Sequence, residues 1–380
     1  MDNESLAIFQ LLASCIAAAS GPERTRQLAQ AASRLSDWTN VATAAESQGM
    51  APLLAYHLQA AGVRPPQPAR RQLQGLRLRH RRASQIRTQV LAEILAAYST
   101  AGIQALVVKG AALAHLIYEQ PELRPMADID ILVSRSDARR AQQLLAELDF
   151  QAPLPSNGRL PDKHLAVARR PVGGMVVSVE IHHNLFDADY PASLELSDLA
   201  GEPLAFPLAD TGLESCTLAP EEMLWHLCQH LTLNATVFRS IRLIWMVDVV
   251  SFAGRFASAI DWRQVNQHYP LVTSTLSLLN AMSPLSATLQ AKAGLQCSII
   301  SGIGLDFEGW PRSSLANQRQ KGWRRLLGDT FRPSEWWLRL HYGLGSDRVL
   351  FCYRWLIHPL HILGWVKQLL LERHDLRQRL

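Results

Sequence analysis

Two neighbouring apolar runs in the middle of the chain carry charged residues at positions that restrict how this segment can fold. The first run ends in Lys109-Gly110, and the second carries Asp128 and Asp130 at alternate positions. Alternate residues of a strand project from the same face, so the second run predicts a strand with both carboxylates on one face. Adjacent carboxylates repel unless a positive charge lies between them, and oxygen ligands favour Mg²⁺ or Mn²⁺. The spacing therefore predicts a divalent-metal site.

The residues around these runs predict alternating strands and helices. The predicted elements are a strand over 104–108, a helix over 111–119, a strand over 128–133, a helix from Ser136 or Asp137 to about Leu148, and a hairpin of 164–169 with 175–182. The hairpin turn is predicted at 171–174. In its second strand, Glu180 and His182 share the polar face, which is the placement that a further metal-binding carboxylate requires.

The flanks of this region are predicted to be helical. Residues 1–65 have apolar residues at three- and four-residue spacing, and a proline-rich break follows at 64–68. One long helix is predicted over 69–100 and ends at Gly102, and the chain is helical again from Pro220 onward.

At these residues the chain resembles the polymerase-beta-like nucleotidyltransferase superfamily. The superfamily has a glycine at a strand-to-helix turn, which Gly110 matches, and then Asp-x-Asp on the next strand, which Asp128 and Asp130 match. A third acidic residue on a later strand is matched best by Glu180. The resemblance covers residues 80–270 well and the rest of the chain more loosely.

More narrowly, the chain resembles the uncharacterised nucleotidyltransferases of bacterial genomes. That group adds a lysine before the glycine and an arginine before the aspartates, which Lys109 and Arg124 match. It also has a downstream helix like residues 220–230. The chain departs from the superfamily at Ala111, where a serine hydroxyl would contact the triphosphate. Backbone N–H groups at the helix start can still bind phosphate.

The resemblance implies an α+β fold in which a small mixed β-sheet nucleotidyltransferase core is flanked by N- and C-terminal helical regions. The expected domains are an N-terminal helical region at 1–68, the core at 69–215, a helical domain at 216–310 and a basic tail at 311–380.

The resemblance also implies an activity, which is transfer of a nucleoside monophosphate from an NTP such as ATP to a hydroxyl, with release of pyrophosphate. Asp128, Asp130 and Glu180 are the expected catalytic residues and would hold two Mg²⁺ (or Mn²⁺) ions. The expected nucleotide-binding residues are Lys109, Gly110, Ala111 and Arg124. A metabolite, glycan or protein is favoured over RNA as the acceptor.

Composition places the chain among folded intracellular proteins. Hydrophobic residues make up 48% of the sequence, and its five cysteines are scattered without a Cys-x-x-Cys pair, which argues against a disulfide framework or a zinc knuckle. The N-terminus is acidic where a secretory signal is basic. The expected location is the cytoplasm.

Positive charge and tryptophan concentrate in residues 310–380. This segment holds 13 Lys/Arg against 5 Asp/Glu and six of the ten tryptophans. Such a segment can contact an anionic membrane or nucleic acid. The apolar stretch 350–371 is interrupted by charged residues, so an interfacial or buried helix is expected rather than a transmembrane one.

Two other functions stay open at this point. Ala111 and the basic tail suit a non-catalytic scaffold of the same fold that lies near a membrane, whereas the positive charge suits RNA-directed nucleotidyl transfer.

An arginine cluster at 70–87 falls on several helix faces, which favours a solvated helix. His226 and His230 share a helix face and could bind zinc, but a packing role is favoured because no third ligand lies at a fixed spacing.

Overall fold

The computed structural model describes residues 3–16, 22–155, 159–186, 194–236, 242–282, 284–295, 323–333, 335–342, 344 and 347–364. The chain divides into two compact units, Met1–Leu227 with Arg242–Asp261 and Cys228–Ile241 with Trp262–Leu380. The domain boundaries expected from the sequence stay a prediction.

Helices open the first unit, as predicted. They are α1 (Asn3–Ala13), α2 (Pro22–Ser33), α3 (Val41–Ser47), α4 (Ala51–Ala60) and the long α5 (Gln67–Thr100). Pro66 is the N-cap residue of α5 and Pro68 lies in its first turn, where a missing N–H costs little. At the other end, Gly102 has a φ of 72° and donates its N–H to the Ser99 carbonyl at 3.1 Å, which closes the helix.

A mixed four-stranded sheet positions the polar face predicted from the sequence. Its strands are β1 (Ala105–Val108), β2 (Asp128–Val133), β3 (Ala168–Val172) and β4 (Met175–His182), in the order β1-β2-β4-β3. The β2–β4 pair is parallel, and the β1–β2 and β3–β4 pairs are antiparallel. Ile129 and Ile131 of β2 and Val179 and Ile181 of β4 are fully buried on the other face. The predicted α+β class with a small mixed sheet is confirmed.

The first hairpin strand differs from its predicted position. It was expected at 164–169, but β3 spans Ala168–Val172, and His164 forms only an isolated bridge to His182. The reason is the turn, because Gly173 and Gly174 both have positive φ and alone form a two-residue connection. The strand can therefore continue through Pro171, which is tolerated on an edge strand.

Two helices follow the central strands. They are α6 (Lys109–Leu116) and α7 (Ala138–Glu147). The start of α6 lies two residues before the predicted one. Asp137 is the N-cap residue of α7, as predicted, but its own side chain does not cap the helix. Instead, the Ser134 hydroxyl accepts the Asp137 backbone N–H at 3.0 Å.

A second, two-stranded sheet was not predicted. It consists of β5 (Leu204–Pro207) and β6 (Glu214–Thr217). The hairpin is followed by the helices α8 (Pro220–Thr236), α9 (Leu243–Arg255), α10 (Trp262–His268), α11 (Pro270–Met282) and α12 (Ala287–Lys292). The helical structure predicted from Pro220 onward is thus present in these described helices.

The C-terminal part contains three further described helices. They span Trp323–Phe331, Glu335–Tyr342 and Asp347–Cys352, and the last continues helically to residue 364. Residues 310–322 and 365–380 of the predicted basic tail lie outside the described residues. Within the described ranges, no helix is both long enough and apolar enough to cross a membrane.

Candidate active site

The polar face of the four-stranded sheet gathers the acidic residues of the sequence pattern. In the parallel β2–β4 register, Asp130 lies opposite Glu180 and Asp128 lies opposite Ser178. Because side chains alternate along a strand, all four residues project from the same face. The structure therefore places Asp128, Asp130 and Glu180 on one face, although their catalytic and metal-binding roles stay a prediction.

Three side chains on this face form a group with the spacing of metal ligands. Asp130, Glu180 and His182 each offer an atom within 4.8 Å of the others. His182 Nε2 lies 2.7 Å from Asp130 Oδ1 and 3.3 Å from Glu180 Oε2. Asp128 shares the face but is not a member of this group. Strand alternation was the only sequence signal for His182, because it placed this residue beside Glu180.

Lys109 adds a positive charge to the same group. Its Nζ lies 2.5 Å from Asp130 Oδ1. Val108, the last residue of β1, is paired with Asp130, so Lys109, which follows it, begins next to the carboxylate. Lys109 reaches it from a left-handed conformation with φ 53°, which is uncommon for a residue other than glycine.

The charges of the group move the carboxyl pKa values apart. Burial raises the pKa of Asp130, but the Lys109 ammonium and His182 outweigh that effect and hold it far below its usual range. The hydrogen bond to His182 lowers the pKa of Glu180. Burial, followed by the charge of Asp130, raises the pKa of Asp128. Asp130 and Glu180 are thus ionised at neutral pH, and the Lys109 ammonium partly neutralises their charge.

This donor set fits a divalent cation. Two carboxylates on adjacent strands supply the oxygen ligands that Mg²⁺ and Mn²⁺ prefer, and an imidazole nitrogen also suits Mn²⁺ or Zn²⁺. The cluster is the only such group of acidic, histidine and cysteine side chains among the described residues. His226 is not a member of it, and its ring instead packs edge-on against Phe186 at 5.2 Å.

Arg124 is engaged in a buried ion pair. Its Nε and Nη2 donate to both carboxylate oxygens of Asp248 on α9, at 2.7–3.0 Å, and Tyr118 donates its hydroxyl to the same carboxylate at 2.7 Å. Burial lowers the pKa of Arg124, but Asp248 outweighs it, so the pKa is raised. The Arg124 guanidinium also lies beside Gly110 at the start of α6. Its expected nucleotide-binding role stays a prediction.

Gly110 leaves room for this arginine. A Cβ at position 110 would lie 3.2 Å from Arg124 Nη1 and 3.4 Å from Met126 Cβ. Ala111 is buried in the first turn of α6, so what this turn offers a ligand is its backbone N–H groups.

Two further arginines lie near Asp128. They are Arg87 of α5 and Arg242, which precedes α9. Burial lowers the pKa of both guanidinium groups, and the charge of Asp128 opposes that lowering. Each Nε is buried and has no hydrogen-bond partner in the described part of the chain. The sequence did not single out Arg242, and Arg87 was part of a cluster interpreted as a solvated helix surface.

Other arginines of that cluster make surface contacts within the first unit. Arg81 pairs with Glu122 at 3.0 Å, while Arg79 and His80 both contact Glu46. Their distribution over several faces of α5 agrees with the sequence interpretation.

A small mixed sheet with acidic residues on one face, beside a strand-to-helix turn that begins with Lys-Gly, has the features expected of a nucleotidyltransferase core. The chain belongs to the uncharacterised nucleotidyltransferase family, whose model matches residues 34–284. The resemblance stated from the motifs is thereby confirmed. No curated protein and no solved structure matches the chain.

Proposed function

We propose that the protein transfers a nucleoside monophosphate from an NTP to a hydroxyl group in a reaction that requires a divalent cation. The observation that carries the proposal is the group of Asp130, Glu180 and His182 beside Lys109. In the reaction the acceptor oxygen bonds to the α-phosphorus, and the bond from that phosphorus to the bridging oxygen breaks. Pyrophosphate leaves with the electron pair, and the acceptor proton passes to water.

Asp130 and Glu180 would hold the cation, Mg²⁺ or Mn²⁺, with Asp128 as a further carboxylate on the same face. A bound cation supplies neutralising charge for the phosphates and the leaving group. Lys109 and the N–H groups of Gly110 and Ala111 would bind the phosphates from the start of α6. Arg124, clamped by Asp248, would keep this turn in place.

The acceptor is proposed to be a metabolite, a glycan or a protein rather than RNA, and the reaction to take place in the cytoplasm. The arginines of α5 support this choice over RNA, because Arg79 and Arg81 pair with carboxylates on different faces instead of forming one basic groove.

The test is transfer of label from each α-labelled NTP into an extract of the source cells, with Mg²⁺ or Mn²⁺. Asp130→Asn is expected to lower transfer by at least about 100-fold. Asp210→Asn, at an exposed position of the β5–β6 turn, is the matched control and should keep wild-type activity. Loss of the labelled product on RNase treatment would show an RNA acceptor. A folded wild-type protein that labels nothing would favour the non-catalytic scaffold.

A peripheral membrane contact is a second candidate function, and the C-terminal helix at 347–364 favours it. Its exposed side carries Phe351, Trp355, Leu356, Leu360 and Leu363, which are 45–67% exposed. His358 of the same helix is buried and contacts the Tyr342 hydroxyl at 2.8 Å and the Thr330 carbonyl at 2.7 Å. An apolar helix face in a basic segment suits the surface of an anionic bilayer.

Co-sedimentation with vesicles tests this contact. The wild type is expected to bind vesicles that contain phosphatidylserine, and Leu360→Asp to lower binding by at least about tenfold. The control is Leu154→Asp, which alters an exposed leucine of the first unit. Equal binding by both variants would refute the contact.

A further inference from the structure

Asp130 Oδ1 is shared by two donors in the structure. Lys109 Nζ lies 2.5 Å and His182 Nε2 lies 2.7 Å from this same oxygen. A carboxylate oxygen has two lone-pair sites, so both are in use. A cation can bind this oxygen only after one of the two donors has moved, and a cation on Oδ2 of the same carboxylate would still be repelled by the nearby Lys109 ammonium.

The two donors differ in their freedom to move. The His182 side chain is only 1% exposed, also contacts Glu180 at 3.3 Å, and lies against the His164 ring at 5.1 Å. The Lys109 side chain is 20% exposed, and its ammonium stands at the end of a flexible four-carbon stem. Lys109 is therefore the donor that can leave.

The Lys109 ammonium has a second possible partner at the first turn of α6. It is the first residue of α6, and the unpaired N–H groups of this first turn are where the proposed function puts the phosphates. An ammonium released from Asp130 would meet the negative charge of the nucleotide there.

We propose that Lys109 is an internal counter-ion that competes with the metal for Asp130 and is released to the nucleotide phosphates, so that metal and nucleotide promote each other's binding. The inference rests on the proposed function. Without a cation, the ammonium offsets the repulsion between Asp130 and its acidic neighbours. With nucleotide bound, the same charge neutralises phosphate and leaves the carboxylate to the metal. Such a coupling is reciprocal, because each ligand removes the obstacle to the other.

The test measures two affinities of metal-free protein, without measuring turnover. Mn²⁺ binding is followed by the loss of its free paramagnetic resonance signal. Binding of the four α,β-methylene NTP analogues is followed by calorimetry in EDTA. Lys109→Met is expected to bind Mn²⁺ at least about tenfold more tightly, because a positive charge beside the ligand oxygen is gone. It should bind the nucleotide analogue about tenfold more weakly than the wild type.

Opposite changes in the two affinities distinguish this role from a structural one, which would weaken both. Lys109→Arg keeps the charge and should keep weak Mn²⁺ binding, and Arg140→Gln removes an exposed cation elsewhere as a control. If Lys109→Met does not fold, Lys109→Gln replaces it. Unchanged or weaker Mn²⁺ binding by a folded variant would overturn the inference alone. No Mn²⁺ binding by any protein, wild type included, would overturn the proposed function with it.

Discussion

Gly110 shows how a single side chain position controls the geometry of the candidate site. The Arg124 guanidinium lies where a larger residue would project, and it cannot easily withdraw because Asp248 binds both its Nε and Nη2. Removing one partner of such a buried pair leaves an uncompensated charge. The start of α6 is therefore held against a rigid support.

Gly110→Ala is expected to destabilise the protein by about 1–2 kcal/mol, since its Cβ would press on Arg124 Nη1 at 3.2 Å. The matched control is Gly75→Ala in α5, where nothing lies within 4 Å of an added Cβ. That change should stabilise the helix by about 0.5–1 kcal/mol. Urea unfolding at neutral pH measures both, and a neutral or stabilising Gly110→Ala would contradict the tight contact.

Lys109 illustrates a different kind of constraint, because a left-handed backbone is retained at a residue that is not glycine. A φ of 53° costs energy that glycine would avoid, yet the side chain is required to reach Asp130. Strain of this kind at a charged contact is typical of functional positions.

The connection between α6 and the β5–β6 hairpin depends on the protonation of His115. Its Nδ1 accepts the Ala209 backbone N–H at 3.4 Å, so the ring is neutral, with Nε2 3.4 Å from the Thr88 hydroxyl. The ring also stacks on Phe206. Burial lowers the pKa of His115 from its ordinary value of 6.5. His115 therefore binds a proton less readily in the folded chain than in the unfolded chain.

The free energy of unfolding is expected to fall as pH drops below 6.5, because the unfolded chain then binds more protons than the folded one. Well above pH 6.5 His115 is neutral in both states and contributes no pH dependence. His115→Gln should lose less stability than the wild type between pH 7.5 and pH 5, measured as the urea midpoint. Replacement of the exposed His268 by Gln is the control, and equal losses in all three proteins would contradict the assignment.

Positive and negative charges are unevenly distributed along the chain. Residues 310–380 carry 13 Lys/Arg against 5 Asp/Glu, while the chain as a whole has a net charge of only +5. The preceding part is therefore net acidic. A membrane contact through the C-terminal segment would combine apolar burial with attraction between opposite charges.

If this contact forms, wild-type binding to phosphatidylserine vesicles should fall at least about fivefold between 0.05 and 0.3 M salt, because screening shortens the reach of the basic residues. Vesicles of phosphatidylcholine alone should bind weakly at either salt concentration. Co-sedimentation measures both, and salt-independent binding would show that charge contributes nothing to the contact.

Local patterns determined much of this protein. Strand alternation put Asp128 and Asp130 on one face, proline and glycine marked the ends of α5, and the motifs alone predicted the family. These features depend on neighbours in sequence, whose relative directions follow from backbone geometry. The β5–β6 hairpin could not be predicted from the sequence, because its four-residue strands are too short for a clear periodic signal.

Contacts between distant residues were decided only by the tertiary structure. The parallel β2–β4 register set Glu180 opposite Asp130, and packing of α9 brought Asp248 to Arg124 across 124 positions of sequence. No local pattern encodes which carboxylate a buried arginine meets or that Lys109 bonds to Asp130. Those choices follow from burial, because a charge removed from water must find its partner among whatever groups the fold brings near.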